Sequence, residues 1–215
     1  MTTELDRNTI RRLVRARRRE LSGHERSRRS AQLACNITRS ALFRNCRTLA
    51  IYLPNDGEVD LTAVAQSAWS QGKQCFLPVL SPLYHNRLWF APYTPQTTLV
   101  LNRFGIPEPA LNWHAMRPVW SLDLLLMPLV AFDGWGNRLG MGGGFYDRTL
   151  AYLEQRSQWR KPHLVGTAFE LQHFDAVPSQ PWDVPLEAVV TEQQYHRFER
   201  NSHKGKDRLK PDEGQ

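Results

Sequence analysis

The chain of 215 residues is most simply one domain, large enough to bury roughly 70% of the surface its unfolded form exposes. Its hydrophobic fraction of 41% and aromatic fraction of 10% are those of an ordinary globular protein, and the longest apolar run, Leu124 to Phe132, is too short to span a bilayer. The formal charge is +7, but ten arginines against Glu20 and Glu25 give the stretch from Arg7 to Arg29 a charge of +8, leaving −1 for the remainder, which argues against a nucleic-acid face spread over several elements.

No apolar signal core follows the basic N-terminal residues, so export is not expected. Instead Ile10, Leu13, Val14, Arg17 and Leu21 fall on one helical stripe, with Arg7, Arg11, Arg15 and Arg18 towards another face. "SGHE", Ser22 to Glu25, has the form of a capping box and predicts a second helix running towards Phe43. "TLAIYLP", Thr48 to Pro54, reads as a buried strand. Asp60 is placed to cap the next helix, whose apolar stripe is Leu61, Val64, Ala65, Ala68 and Trp69 and whose stop is Gly72.

Gln74 to Leu80 and Leu88 to Tyr93 are further strand candidates. The proline-rich stretch from Thr94 to Trp120 reads mainly as loop, and Asp123 to Phe132 is the strongest buried-strand signal. After a glycine-rich turn, "YDRTLAYLEQR" has helical spacing at Tyr146, Leu150 and Leu153. "HLVGTAF" and "AVVTE" are expected as the last two strands. The polar tail from Arg200 predicts disorder, so the domain is placed at 1–198 and the tail at 199–215. Strands that are apolar throughout and alternate with helices predict an α/β fold with a mostly parallel sheet. Three cysteines without C-x-x-C spacing argue against disulfides and zinc sites and fit a reducing cytoplasm; the seven histidines show no helical i, i+4 pair, so no structural metal is expected.

The chemistry concentrates in "RLGMGGGFYDR", Arg138 to Arg148. A strand, a glycine turn and a helix start present bare backbone N–H groups where α/β sheets bind ligands. The helix dipole favours an anion there by about 0.3–1 kcal/mol. Arg138 and Arg148 can add charge-assisted hydrogen bonds to phosphate. The spacing is neither a Walker A loop nor G-x-G-x-x-G. Asp147 either complements the dipole or holds Mg²⁺, which needs only one or two carboxylates plus phosphates and water. Asp183 is a second lone acid near a strand start, and Glu58 lies between a strand end and a helix cap, facing the same zone.

"RLGMGGGFYDR" resembles the R-[LI]-G-x-G-x-G-[YF]-Y-D-[RK] signature of the 5-formyltetrahydrofolate cyclo-ligase (methenyltetrahydrofolate synthetase) family. The basic N-terminal helix, "YLPNDGEVD", "FLPVL", "FGIPEP", "LLLMPLVAFD" and "WDVPLEAVVTE" follow the family's order up to about Gln194, most like the γ-proteobacterial type. The resemblance implies a three-layer α/β/α sandwich and a cytoplasmic, monomeric enzyme. Its expected reaction is the ATP- and Mg²⁺-dependent cyclisation of 5-formyltetrahydrofolate, mono- or polyglutamylated, to 5,10-methenyltetrahydrofolate, with ADP and phosphate released. By position it assigns catalysis to Arg138 and Tyr146. Nucleotide contacts are assigned to Arg7, Arg11, Arg138, Leu139, Gly140, Met141, Gly142, Gly143, Gly144, Phe145 and Tyr146. Folate contacts are assigned to Leu53, Glu58, Phe145 and Tyr146, and Mg²⁺ to Asp147 and Asp183. Three departures stand out: Arg7 replaces the family's lysine, Gly143 stands where many members have a loop lysine, and Phe145 replaces a common tyrosine. The competing reading is a nucleic-acid-binding or regulatory protein that uses the basic N-terminal helix, which would bind with steep salt dependence.

Overall fold

The computed structural model describes residues 5–81, 84, 86–110, 112–155 and 161–198; the tail expected to be disordered lies outside them. Helix α1 covers Arg7–Glu20, and the Asp6 carboxylate caps it by accepting from the Asn8 and Thr9 N–H groups at 2.9 and 3.1 Å. Its buried face is Ile10, Val14 and Arg18. This corrects the expected stripe: Arg18 continues the i, i+4 row inward, whereas Arg17 is exposed, donates to the Leu171 carbonyl at 3.1 Å and lies over Phe174. Helix α2, Gly23–Arg39, starts at Ser22, whose hydroxyl accepts from the Glu25 N–H at 3.1 Å. The single helix expected to reach Phe43 is broken at Ser40, whose hydroxyl caps a separate helix α3, Ala41–Asn45.

Strand β1 is only Thr48–Ala50, because the chain leaves the sheet for a turn at Asp56 and Gly57, both at positive φ. Helix α4, Thr62–Ser70, buries the expected Val64, Ala65 and Ala68, and the Asp60 carboxylate accepts from the Thr62 N–H at 2.8 Å. Strands β2, Gln74–Leu80, and β3, Leu88–Tyr93, pair antiparallel. Within the expected loop stands a small hairpin of β4, Leu99–Leu101, and β5, Pro107–Pro109, whose turn is held by the Asn102 side-chain oxygen accepting from Phe104 and Ile106.

The strand expected from Asp123 to Phe132 divides in two. Strand β6 is Leu124–Pro128, while β7, Ala131–Phe132, turns out of the sheet to pair with β8, Arg138–Leu139. The helix after the glycines also divides, into α5, Phe145–Leu150, and α6, Tyr152–Gln155. Strands β9, His163–Thr167, and β10, Ala188–Val190, are not the last: β11, Tyr195–Arg197, closes the sheet edge antiparallel to β10.

The seven-stranded sheet has the order β11-β10-β9-β6-β1-β2-β3, parallel through its five central strands. Alternate side chains sort onto its two faces. Leu49, Leu77, Leu126 and Val190 pack with Leu33, Ile37 and Val64 of α2 and α4. Ala50, Phe76, Leu125 and Val189 pack with Val119, Leu122 and Leu150 on the opposite side. Burial on both faces is what makes the parallel strands apolar throughout, and it yields the three-layer sandwich. Cys46 and Cys75 are buried in the first of these cores, Cys35 is exposed, and all three are free thiols. Among the described residues no helix is long and apolar enough to cross a membrane.

Candidate functional site

From β1 the chain moves to β2 on one side, while β6 lies on the other, so the strand order reverses between β1 and β6. Ligands in such sheets bind beyond the carboxyl ends at this reversal. A cavity of about 870 Å³ lies there, walled by Leu53 after β1, Pro78 and Leu80 of β2, and Met127 and Pro128 of β6. This is the size of a drug-scale ligand site.

The glycine loop forms one wall. It is delivered by the β7–β8 hairpin, whose hub is the fully buried Asp133. That carboxylate accepts from the N–H groups of Trp135, Asn137 and Val177 at 2.9–3.0 Å and from the Asn137 side chain at 2.9 Å. The hairpin thereby fixes Arg138 at the cavity edge, 4% exposed. Gly142 sits at φ +102 and Gly144 at φ +62, backbone that L side chains rarely adopt. Met141, Gly142 and Gly143 are exposed, and among the described residues no acceptor pairs with the amides of Met141 to Gly144. An open row of donors suits phosphate oxygens. Helix α5 is only six residues long, so these amides and the nearby arginines outweigh any dipole.

Of the residues singled out in the sequence, Arg7, Arg11, Leu53, Glu58, Arg138, Gly140, Met141, Gly142, Gly143, Gly144, Phe145, Tyr146, Asp147 and Asp183 all border this cavity. Leu139 does not. Its side chain is fully buried with Ile10, Val14, Val130 and Ala131, because alternation along β8 sends it to the opposite side from Arg138.

The acids and arginines come in pairs. Arg138 Nη2 donates to Asp147 Oδ1, and Arg7 Nη1 donates to Asp183 Oδ2 at 3.2 Å. The Val184 N–H also reaches Asp147 Oδ1, at 3.5 Å, and the Gln180 N–H reaches Asp183 Oδ2, at 2.8 Å. In each carboxylate these bonds converge on one oxygen and leave the other for a cation, so the pair fits the sparse donor set of Mg²⁺. Arg138 Nε is buried without a hydrogen-bond partner among the described residues, a donor available to an anion. Arg11 Nε donates to the Gly140 carbonyl at 3.0 Å, tying α1 to the loop.

Gly143 and Phe145 are linked departures. A Cβ at Gly143 would stand 2.8 Å from the Phe145 ring, which packs edge-on against Phe104 of the β4–β5 hairpin. Any side chain at Gly143 would displace that ring.

Glu58 stands opposite the loop. Burial pushes its carboxyl up to about 7, against the lowering pull of the Asn55 N–H and Arg18. Arg18 lies behind it, fully buried, with Nη1 at 4.0 Å from Glu58 Oε1 and Nη2 at 3.7 Å from Asp56 Oδ2. None of the Arg18 guanidinium nitrogens has a hydrogen-bond partner among the described residues. Burial, with Glu58 nearby, raises the Tyr146 phenol, so Tyr146 is a neutral hydroxyl at physiological pH.

Sequence reasoning missed Asp133, Arg18 and Asp56. For Asp133 a signal existed, since "DGWGN" places a turn-forming Asp before two glycines. The inward position of Arg18 follows from the i+4 row of Ile10 and Val14 once arginine is allowed inside. The structure also accounts for much of the basic segment. Arg15 and Arg19 meet Asp56 at 3.0 and 3.7 Å, Arg28 and Arg29 meet Glu25, and Arg29 reaches Glu192 at 2.8 Å.

Comparison with known proteins shows which family the chain resembles. Residues 3–192 match the family model described as "5-formyltetrahydrofolate cyclo-ligase family". The chain is 42% identical over 179 residues to the 5-formyltetrahydrofolate cyclo-ligase of Escherichia coli K12, covering 83% of this chain and 96% of that one. It is 42% identical over 175 residues to the Haemophilus influenzae cyclo-ligase, covering 81% and 90%. Its fold resembles the NMR structure of Aquifex aeolicus 5,10-methenyltetrahydrofolate synthetase, with a TM-score of 0.74 and 30% identity over 93% of this chain and 99% of that one.

Proposed function

The chain belongs to the 5-formyltetrahydrofolate cyclo-ligase family, and on that premise we propose how its cavity carries out the reaction. The enzyme is a ligase of folate one-carbon metabolism that closes 5-formyltetrahydrofolate to 5,10-methenyltetrahydrofolate. One observation carries the site assignment: an open row of loop amides with Arg138 lies across a single cavity from Glu58.

A formamide oxygen is a poor leaving group and must be activated first. The formyl oxygen attacks the γ-phosphorus of ATP, an O–P bond forms, and the bond to the ADP oxygen breaks. N10 then attacks the formyl carbon, phosphate leaves with the former formyl oxygen, and N10 gives up its proton. Positioning and charge stabilisation dominate such phosphoryl transfer. The amides of Met141 to Gly144, with Arg138 and Arg11, bind the phosphates. Arg7 exchanges Asp183 for phosphate when nucleotide enters. Phe145 and Leu53 pack the folate ring, Glu58 accepts hydrogen bonds from the pterin edge, and Tyr146 donates its phenolic proton towards the reacting oxygens. Asp147 and Asp183 would hold Mg²⁺, which supplies charge neutralisation for the transferring phosphoryl group. A monomer in the cytoplasm, acting on mono- or polyglutamyl folate without a nucleic-acid partner, completes the proposal.

The direct test mixes purified protein, Mg·ATP and 5-formyltetrahydrofolate and follows the near-ultraviolet absorbance of the methenyl product. Product should appear only with ATP and stop when Mg²⁺ is chelated. Folded protein that makes none under any of these conditions would remove the reading.

The loop itself is tested by Gly142→Ala. A side chain at φ +102 is strained, by about 1–3 kcal/mol, and its Cβ would lie 3.3 Å from Arg11 Nη2. KM for ATP should rise by about tenfold, the equivalent of 1.4 kcal/mol, with KM for folate little changed. Equal changes in both would mean a general collapse of the cavity.

A further inference from the structure

Away from the cavity, three potential metal ligands from separate segments converge. Glu170 lies in a 3-10 turn after β9, His173 follows that turn, and His196 is the central residue of β11. None of them borders the cavity. One donor atom from each lies within 4.8 Å of the others. His196 Nε2 is 3.2 Å from Glu170 Oε2, and His173 Nδ1 is 3.3 Å from Glu170 Oε1. Donors on a tetrahedral zinc ion stand about 3.3 Å apart, given bonds of about 2.0–2.1 Å to nitrogen and oxygen. Each imidazole therefore already stands at that spacing from one oxygen of the carboxylate, His173 from Oε1 and His196 from Oε2.

The cluster is held from behind as metal sites are. The buried Thr191 hydroxyl donates to Glu170 Oε2 at 2.6 Å and is itself fixed by the Gln193 and Gln194 N–H groups. Phe132 forms a wall for both imidazoles: His173 stacks flat on it with centroids 4.8 Å apart, and His196 meets it edge-on at 5.1 Å. The backbone beside His173 is pinned by the Phe174 N–H donating to the Phe132 carbonyl at 2.9 Å. His173 is 35% exposed while Glu170 and His196 are 17% and 12% exposed, so one side of the cluster opens to water.

We propose that Glu170, His173 and His196 form a second cation site, separate from the Asp147–Asp183 pair, that takes a late first-row divalent ion such as Zn²⁺ with water as fourth ligand. Two imidazoles and a carboxylate suit zinc or cobalt, whereas Mg²⁺ prefers an all-oxygen shell. The two sites should thus discriminate by chemistry. The ligands are 23 or more positions apart except for Glu170 and His173, and no spacing motif announces them.

Cobalt provides the test, because its visible absorption reports coordination directly. Titrating Co²⁺ into the whole chain in excess Mg²⁺ should give one intense low-coordination band per molecule, which Zn²⁺ then abolishes. His173→Gln and His196→Gln should each weaken Co²⁺ binding by at least about tenfold, with cyclo-ligase turnover and far-ultraviolet circular dichroism unchanged. Should His196→Gln unfold, the exposed His173→Gln carries the same comparison. A titration without the band, or a band of equal strength in the variants, would overturn the proposal and leave the trio as a hydrogen-bonded cluster.

Discussion

Arg138→Ala is expected to lower kcat by about 10²- to 10³-fold, the range for removing one preorganised donor to developing charge. The residue links the β7–β8 hairpin to Asp147 in the proposed phosphate site. Asp133 fixes the hairpin that carries it, Asp147 accepts from its Nη2, and its Nε is buried with no hydrogen-bond partner among the described residues. Truncation removes a cation from the cavity wall and also leaves Asp147 unneutralised where phosphates must enter, so repulsion adds to the lost attraction. The loss should appear chiefly in kcat if the fork contacts the phosphoryl group as charge redistributes, and in KM for ATP if it serves binding alone. Arg138→Lys keeps the charge but not the fork and should recover only part of the rate. Asp147→Asn should also lose turnover while the protein stays folded. Because Arg138 is nearly buried, some destabilisation of the alanine variant is expected, about 1–3 kcal/mol, and circular dichroism must accompany the kinetics. A kcat within twofold of the parent in both Arg138→Ala and Asp147→Asn would remove the phosphate-site assignment.

Periodicity carried the fold because burial on both faces of a parallel sheet leaves an apolar record in the strands themselves: β2 and β3 have the bounds the sequence predicts. It failed where pairing rather than hydrophobicity ends an element. Leu124 to Phe132 is apolar without a break, yet β7 leaves the sheet because β8 lies ready to pair with it. Strand β11 was invisible because Tyr195 and His196, partly buried, and Arg197, exposed, carry no apolar alternation. At the site, the glycines, Arg138 and Asp147 were legible as local chemistry in one stretch of chain. Leu139 lies away from the cavity because a motif names consecutive residues, while a strand sends neighbouring side chains to opposite faces. The partnerships could not be read at all. The pairing of Arg7 with Asp183 spans 176 positions, and the convergence of Glu170, His173 and His196 exists only once β9, β10 and β11 are side by side.

The buried arginine in α1 leads to the second large effect. Glu58 keeps its proton up to about pH 7 in the free enzyme because burial penalises the carboxylate. Between its ordinary value of 4.5 and about 7 the folded chain holds a proton that the unfolded chain has released. This group's contribution to stability therefore falls as pH rises through that window and is level above it. Folate should act in the opposite sense. The pterin edge offers N–H donors, so the binding-competent form is the carboxylate, and affinity is limited by the fraction ionised. Measured without ATP, Kd for 5-formyltetrahydrofolate should be about tenfold weaker at pH 6 than at pH 8, as expected for a single ionisation near 7. Glu58→Gln should bind weakly at every pH and lose the slope. Arg18→Met, of similar length and without charge, should move the inflection upward, because it removes the cation behind Glu58 that favours the ionised form. A slope of the reverse sign would mean that protonated Glu58 donates to the substrate, and an unchanged profile in Glu58→Gln would place the titrating group elsewhere. The direction of motion in Arg18→Met separates the two roles of the arginine: loss of its charge moves the inflection upward, whereas loosened packing that admits water to Glu58 moves it downward.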